Sequence, residues 1–184
     1  MGNWNVIAVD GPERELRAFV SGYLADRKVE PSAAVLGDDV GLEEGSLGDR
    51  MRALLHGGHH AVLVPDELAT ALGDALAQGG PAVGLRVAER RSVSRASFDV
   101  HAEVYSRDVA AQLRAALRGA PMSQHSESEE AHTEDKGGVE LYAPVHAYAY
   151  RVRATVNGPV GDVLAVRRRL ADVEAAEIEP LHLA

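Results

Sequence analysis

Short apolar runs and helical stripes alternate over the first ninety residues. Residues 5–9 (Asn5-Val6-Ile7-Ala8-Val9) form an apolar run closed by Asp10-Gly11, the pattern of a buried strand and a turn. Leu16, Phe19, Val20, Tyr23 and Leu24 then recur at helical spacing behind Pro12, which suits a first helical turn. Residues 33–36 predict a second strand ending at Gly37-Asp38-Asp39. Ser46 is placed to cap a helix carrying Leu47, Met51, Leu54 and Leu55. Residues 61–64 predict a third strand, and Asp66 a cap for a helix with Leu68, Leu72 and Leu76. Residues 83–87 predict a fourth strand. Successive strand–helix units of this length predict a small parallel α/β (Rossmann-like) unit over residues 1–90.

The rhythm changes after residue 97. Phe98, Val100, Ala102 and Val104 alternate with Asp99, His101 and Glu103, the period of a half-buried strand. Ser106 precedes a helix with Val109, Leu113, Ala116 and Leu117. Strands follow at 139–142 and 148–156, then a helix through Val163, Val166 and Leu170, and a strand over 176–183. This β-α-β-β-α-β order over residues 97–184 resembles the ferredoxin-like α/β sandwich, by element order alone. Residues 86–95, rich in arginine, read as a linker or an exposed strand extension. Residues 123–138 carry Glu127, Glu129, Glu130, Glu134 and Asp135 with no aliphatic side chain larger than alanine, and predict a disordered acidic insertion. No internal repeat is visible in the sequence.

Composition narrows the chemistry. The 184 residues carry a net charge of -9, which disfavours nonspecific attraction to nucleic acid or anionic lipid. There are no cysteines, so disulfides, thiolate nucleophiles and cysteine-held metals are excluded. No apolar run is long enough to span a bilayer and no signal peptide is visible, so a cytoplasmic protein is expected, with no membrane partner. Of the 19 basic residues only Lys28 and Lys136 are lysine, a bias of GC-rich genomes or of salt-adapted surfaces.

Four groups could carry function. In a parallel sheet, Asp10, Asp38 and Asp66 would lie at strand ends, where carboxylates could share magnesium; caps and turns are the alternative use of the same residues. His56, His59 and His60 crowd one turn, as metal ligands or as a polar turn. In the second half, His101, Glu103, Arg151, Arg153, Glu177 and Glu179 should share the sheet face that the helices leave open. Tyr148 and Tyr150 fall on the core side, so RNA stacking is disfavoured and pairing with a second copy fits better, beside the alternative of a solvated face with cross-strand ion pairs. Arg167-Arg168-Arg169 sits at a helix C-terminus, where cations are favoured. Phosphate-loop and dinucleotide glycine motifs are absent.

Val6-Ile7-Ala8-Val9-Asp10-Gly11, Gly45-Ser46-Leu47-Gly48-Asp49-Arg50 and Ala61-Val62-Leu63-Val64-Pro65 resemble pieces of the universal stress protein family. The resemblance implies ATP, with magnesium, held by Asp10, Gly11, Gly37, Gly45 and Ser46. It departs from the family in its short span, its glycine spacing and the acidic Asp38, Asp39, Glu43 and Glu44 in the presumed phosphate loop. Three functions follow as expectations. The first is a non-catalytic regulatory or stress-related binding protein that self-associates and binds a nucleotide. The others are a magnesium-dependent enzyme acting on a phosphorylated substrate, and an interaction module without a small ligand.

Overall fold

The computed structural model describes residues 3–131 and 148–184. It is an α/β protein that divides into two compact units. One comprises residues 1–96, 159–161 and 180–184; the other comprises 97–158 and 162–179.

Unit 1 contains β1 (Trp4–Asp10), α1 (Glu13–Asp26), β2 (Val35–Leu36), α2 (Asp49–His56), β3 (His60–Pro65), α3 (Asp66–Gly79) and β4 (Arg86–Val93). The strand order is β2-β3-β1-β4. Every pairing is antiparallel: β1 with β3, β1 with β4 and β2 with β3. The parallel sheet expected over residues 1–90 is therefore corrected. The helix after β1 does not return the chain to a strand beside β1. It delivers β2 to the far edge, and β3 folds back between them. The fourth strand also moves: residues 80–83 form a 3-10 turn, and the arginine-rich stretch expected as a linker or extension is the strand β4 itself. Val93 alone is buried in that strand, which is why its apolar signal is weak.

Ile7, Val9, Val62 and Val64 face α1 and α3, where Leu16, Val20, Leu24, Leu72 and Leu76 complete the core. The opposite face is buried as well: Val6, Ala8 and Leu63 have no exposed surface. Segment 37–56, the long excursion between β2 and β3, lies on this side. A Cβ on Gly48 would stand 2.7 Å from Arg91, which pairs with Val6, and Arg50 meets Glu89, which pairs with Ala8, at 2.6 Å. Leu47 and Met51 on this segment are 1% exposed. A second short strand, β9 (His182–Leu183), is stitched to the same segment. Glu43 N–H donates to the Leu181 carbonyl at 2.8 Å, and Leu181 N–H to that of Gly41 at 2.9 Å.

Unit 2 is built from β5 (Arg95–Val104), α4 (Arg107–Leu117), β6 (Met122–Ala131), β7 (Tyr148–Pro159), α5 (Val160–Ala171) and β8 (Glu177–Ile178). Its strand order, β6-β7-β5-β8, is that of the expected ferredoxin-like sandwich. The order in unit 1 is the same when each strand is numbered within its unit: second, third, first, fourth. The fold is thus a tandem repeat of one topology, which the sequence conceals.

Two expectations in this half change. Residues 123–131, expected as disordered, belong to β6 and pair with β7 in antiparallel register, Ser126 opposite Arg153 and Ser128 opposite Arg151. Edge strands tolerate such polar sequences, since exposed charge prevents unwanted strand addition. The rest of the insertion, and the strand expected over 139–142, lie outside the described residues. The single strand expected over 176–183 is split at Pro180 into β8 and β9, both of which pair with β5. The alternating positions behave as expected: Phe98, Val100, Val104, Tyr150, Val152 and Val156 are buried, whereas Asp99, Glu103, Arg151 and Arg153 are exposed.

Candidate functional site

The antiparallel sheet removes Asp66 from the other two aspartates proposed to hold magnesium, which stay at the His60 end. Trp4 pairs with Pro65 and Val9 with His60, so Asp10 and Asp66 stand at opposite ends of the sheet, about 20 Å apart at the usual rise per residue. No shared ion is compatible with metal–oxygen bonds of about 2–2.6 Å. Asp66 instead accepts a 2.6 Å hydrogen bond from the amide of Asn5, a buried polar side chain. Asp38 lies 3.6 Å from His60. Among the described residues, no three histidine or acidic side chains form a set able to hold a metal ion.

Several of the five residues implied in nucleotide binding have structural tasks. Gly11 has φ +132°, and a Cβ there would lie 2.4 Å from the Gly84 carbonyl oxygen. It is a glycine because two backbone segments touch. Gly37 is buried against Ala61 and Leu42. Gly45 lies in a 3-10 turn, and α2 is capped by Gly48 rather than by Ser46. The Ser46 hydroxyl donates to the Glu43 carbonyl at 2.6 Å and accepts from Leu183 N–H at 3.1 Å, so it has no donor left for a phosphate. Asp10 is exposed at its strand end. Asp39 beside it in the loop is gripped by both arms of Arg17, at 2.9 and 2.7 Å, and that guanidinium holds its carboxyl below the usual range. Of the five, Gly11, Gly37 and Ser46 are thus engaged in packing or in hydrogen bonds within the chain.

The three clustered histidines do not converge. His56 pairs with Glu44 and His60 with Asp38. The arginine run is also structural: Arg167 donates to the Glu179 carbonyl at 2.7 Å and Arg169 to that of Ala116 at 3.1 Å. Desolvation lowers the Arg167 pKa, and its guanidinium lies over the Phe98 ring.

The expected open face of unit 2 is present as a surface. On it β7 carries Arg151 and Arg153, and β5 carries Asp99, His101 and Glu103. Cross-strand contacts fix the alignment: Thr155 donates to Asp99 at 2.6 Å and Arg151 meets Glu103 at 2.9 Å. Arg151 also reaches Glu130 on β6 at 3.4 Å, and His101 reaches Glu177 on β8 at 2.6 Å. The side chains on β5 and β7 stand on strands whose other face is anchored in the core, which fixes their spacing at the backbone. Near-neighbour ion pairs among exposed groups contribute only about 0–1 kcal/mol each, so stability does not explain the concentration of charge here.

A second cluster, on the helix side of the same sheet, was not singled out in the sequence. Arg114 lies over the Tyr150 ring, 4.4 Å from its centroid, and Arg107 over Tyr148 at 4.8 Å. The Tyr150 hydroxyl donates to Glu127 at 2.8 Å, and Arg114 donates to Glu129 at 3.1 Å. Burial, then the bond to Glu127, pushes the Tyr150 hydroxyl up to about 12. Glutamates two apart on an edge strand, and arginines seven apart (about two helical turns) on the helix before it, were its only sequence signal. It clamps β6 against α4.

The fold and this surface define a class: a tandem ferredoxin-like protein with, among the described residues, one sheet sealed on both faces and the other open on one. No protein-family model matches the chain, and no curated protein matches it. Among solved structures, an unknown protein from Galdieria sulphuraria is 15% identical over 100% of this chain and 98% of that one, with a TM-score of 0.30. A likeness at that score carries no argument about fold or function. No helix among the described residues is long and apolar enough to cross a membrane.

Proposed function

We propose that this is a non-catalytic regulatory binding protein that works by self-association. The observation that supports this reading is the asymmetry between two sheets that share one order of their four main strands. Unit 1 buries both sheet faces, whereas unit 2 leaves one face open and fills it with charges of both signs. A patch bearing both signs is able to complement a copy of itself. Sedimentation of the full chain from micromolar to high micromolar concentration tests the reading. A concentration-dependent shift to dimer or a higher oligomer is expected, and a monomer throughout overturns it.

A further inference from the structure

Resting on the self-association reading, we infer that the partner is a second copy stacked face to face on the open sheet of unit 2, with a two-fold axis parallel to the strands above the seam between β7 and β5. The charge pattern selects this axis. On the open face the β7 column carries Arg151 and Arg153, and the β5 column carries Asp99 and Glu103 flanking His101. Rotation about the seam lays each β7 column over the other copy's β5 column and keeps position along the strand. Arg151 then meets Glu103 of the partner subunit, and Arg153 lies between Asp99 of the partner subunit and Glu103 of the partner subunit.

The two neighbouring axes along the strands fail on charge. An axis along β5 itself would set Asp99 against its own copy and Glu103 against its own copy. An axis along β7 would do the same to Arg151 and Arg153. Like charges directly opposed are unfavourable, more so as water leaves the interface. The in-chain Arg151–Glu103 pair does not compete with the stack. Placed over its reversed copy, it becomes a closed square of alternating signs. Aligned sheet packing, with mean strand directions within about 30°, suits an axis along the strands. The small side chains Ser126 and Ser128, in register with Arg153 and Arg151 on β6, leave the arginines room to reach across.

Two full-length variants test the seam. Arg151→Glu with Arg153→Glu makes both columns acidic; Asp99→Arg with Glu103→Arg makes both basic. All four positions are exposed, and circular dichroism with the signal of Trp4, the single tryptophan, checks that each variant is folded. Each variant alone is expected to sediment as monomer where wild type is dimeric, with association weakened at least tenfold. An equimolar mixture is expected to recover dimer, and raised salt to weaken both the wild-type and the mixed dimer. A wild-type dimer that survives both reversals overturns the seam and leaves self-association standing. Monomeric variants that do not recover on mixing overturn the seam as well. A wild type that never dimerises overturns self-association and the seam together.

Discussion

Units 1 and 2 thread the same strand order through different side chains, and their contrast locates what each is for. In unit 1 the strands β1 and β3 are apolar on successive positions, so both faces of the sheet need cover. Segment 37–56 and β9 provide it. In unit 2, β5 alternates along its length and β7 from Tyr150 onward, so one face joins the core and the other stays wet there. The same order of the four main strands therefore gives a closed body in one case and a presenting surface in the other. The difference lies in the period of the apolar residues, not in the path of the chain.

Substitutions should separate the two bodies sharply. Gly11→Ala is expected to cost most, about 2–5 kcal/mol, because it combines an unfavourable φ with overpacking against the Gly84 carbonyl. The urea midpoint followed by Trp4 fluorescence reports it. Met51→Ala, in the cover of the second face, should cost about 2–5 kcal/mol in the same assay, at the lower end if the segment relaxes. The contrast is Arg153→Ala on the open face, expected within about 0.5 kcal/mol of wild type in stability. A cost for Arg153→Ala like that for Met51→Ala would end the distinction between sealed and presenting sheets.

Asp66→Ala should cost about 1–3 kcal/mol, since it strands the buried Asn5 amide. Equal stability with and without the carboxylate would show that Asn5 finds another partner. The smallest effect is one of pH. The Tyr150 pKa is raised from about 10 in an unfolded chain to about 12, so the fold favours the neutral hydroxyl. Its contribution is present in full below about pH 10 and is lost as pH rises through about 12. Urea midpoints should fall across that window more steeply in wild type than in Tyr150→Phe. Parallel curves would remove Tyr150 from the clamp.

Much of this was legible in the residues. The alternation in 98–104 and 148–156 assigned both faces of the unit 2 sheet, and the stripes at 16–24 and 68–76 assigned α1 and α3. Strand direction was not legible in unit 1. An apolar run such as Ala61-Val62-Leu63-Val64 reads the same in a parallel sheet and in an antiparallel sheet covered on both sides, because burial on two faces erases the period. That single ambiguity displaced the candidate site, since convergence of Asp10 with Asp66 depends entirely on strand direction. The strand β6 was missed for the opposite reason: an edge strand exposed along its whole length has no apolar signature. The repeat was hidden because the matching strands share no side-chain pattern.

The stitching of residues 181–183 to segment 41–46 also constrains how the molecule is made. Leu183 N–H and the Ser46 hydroxyl are 137 positions apart along the chain. A ribosome must therefore deliver all of unit 2 before the second face of unit 1 can be closed. Contacts of such sequence separation are slow to form, because the intervening chain must first be ordered or looped out. During that interval segment 41–46 lacks its hydrogen bonds to residues 181–183. Unit 1 is thus completed by residues that follow unit 2 in the chain.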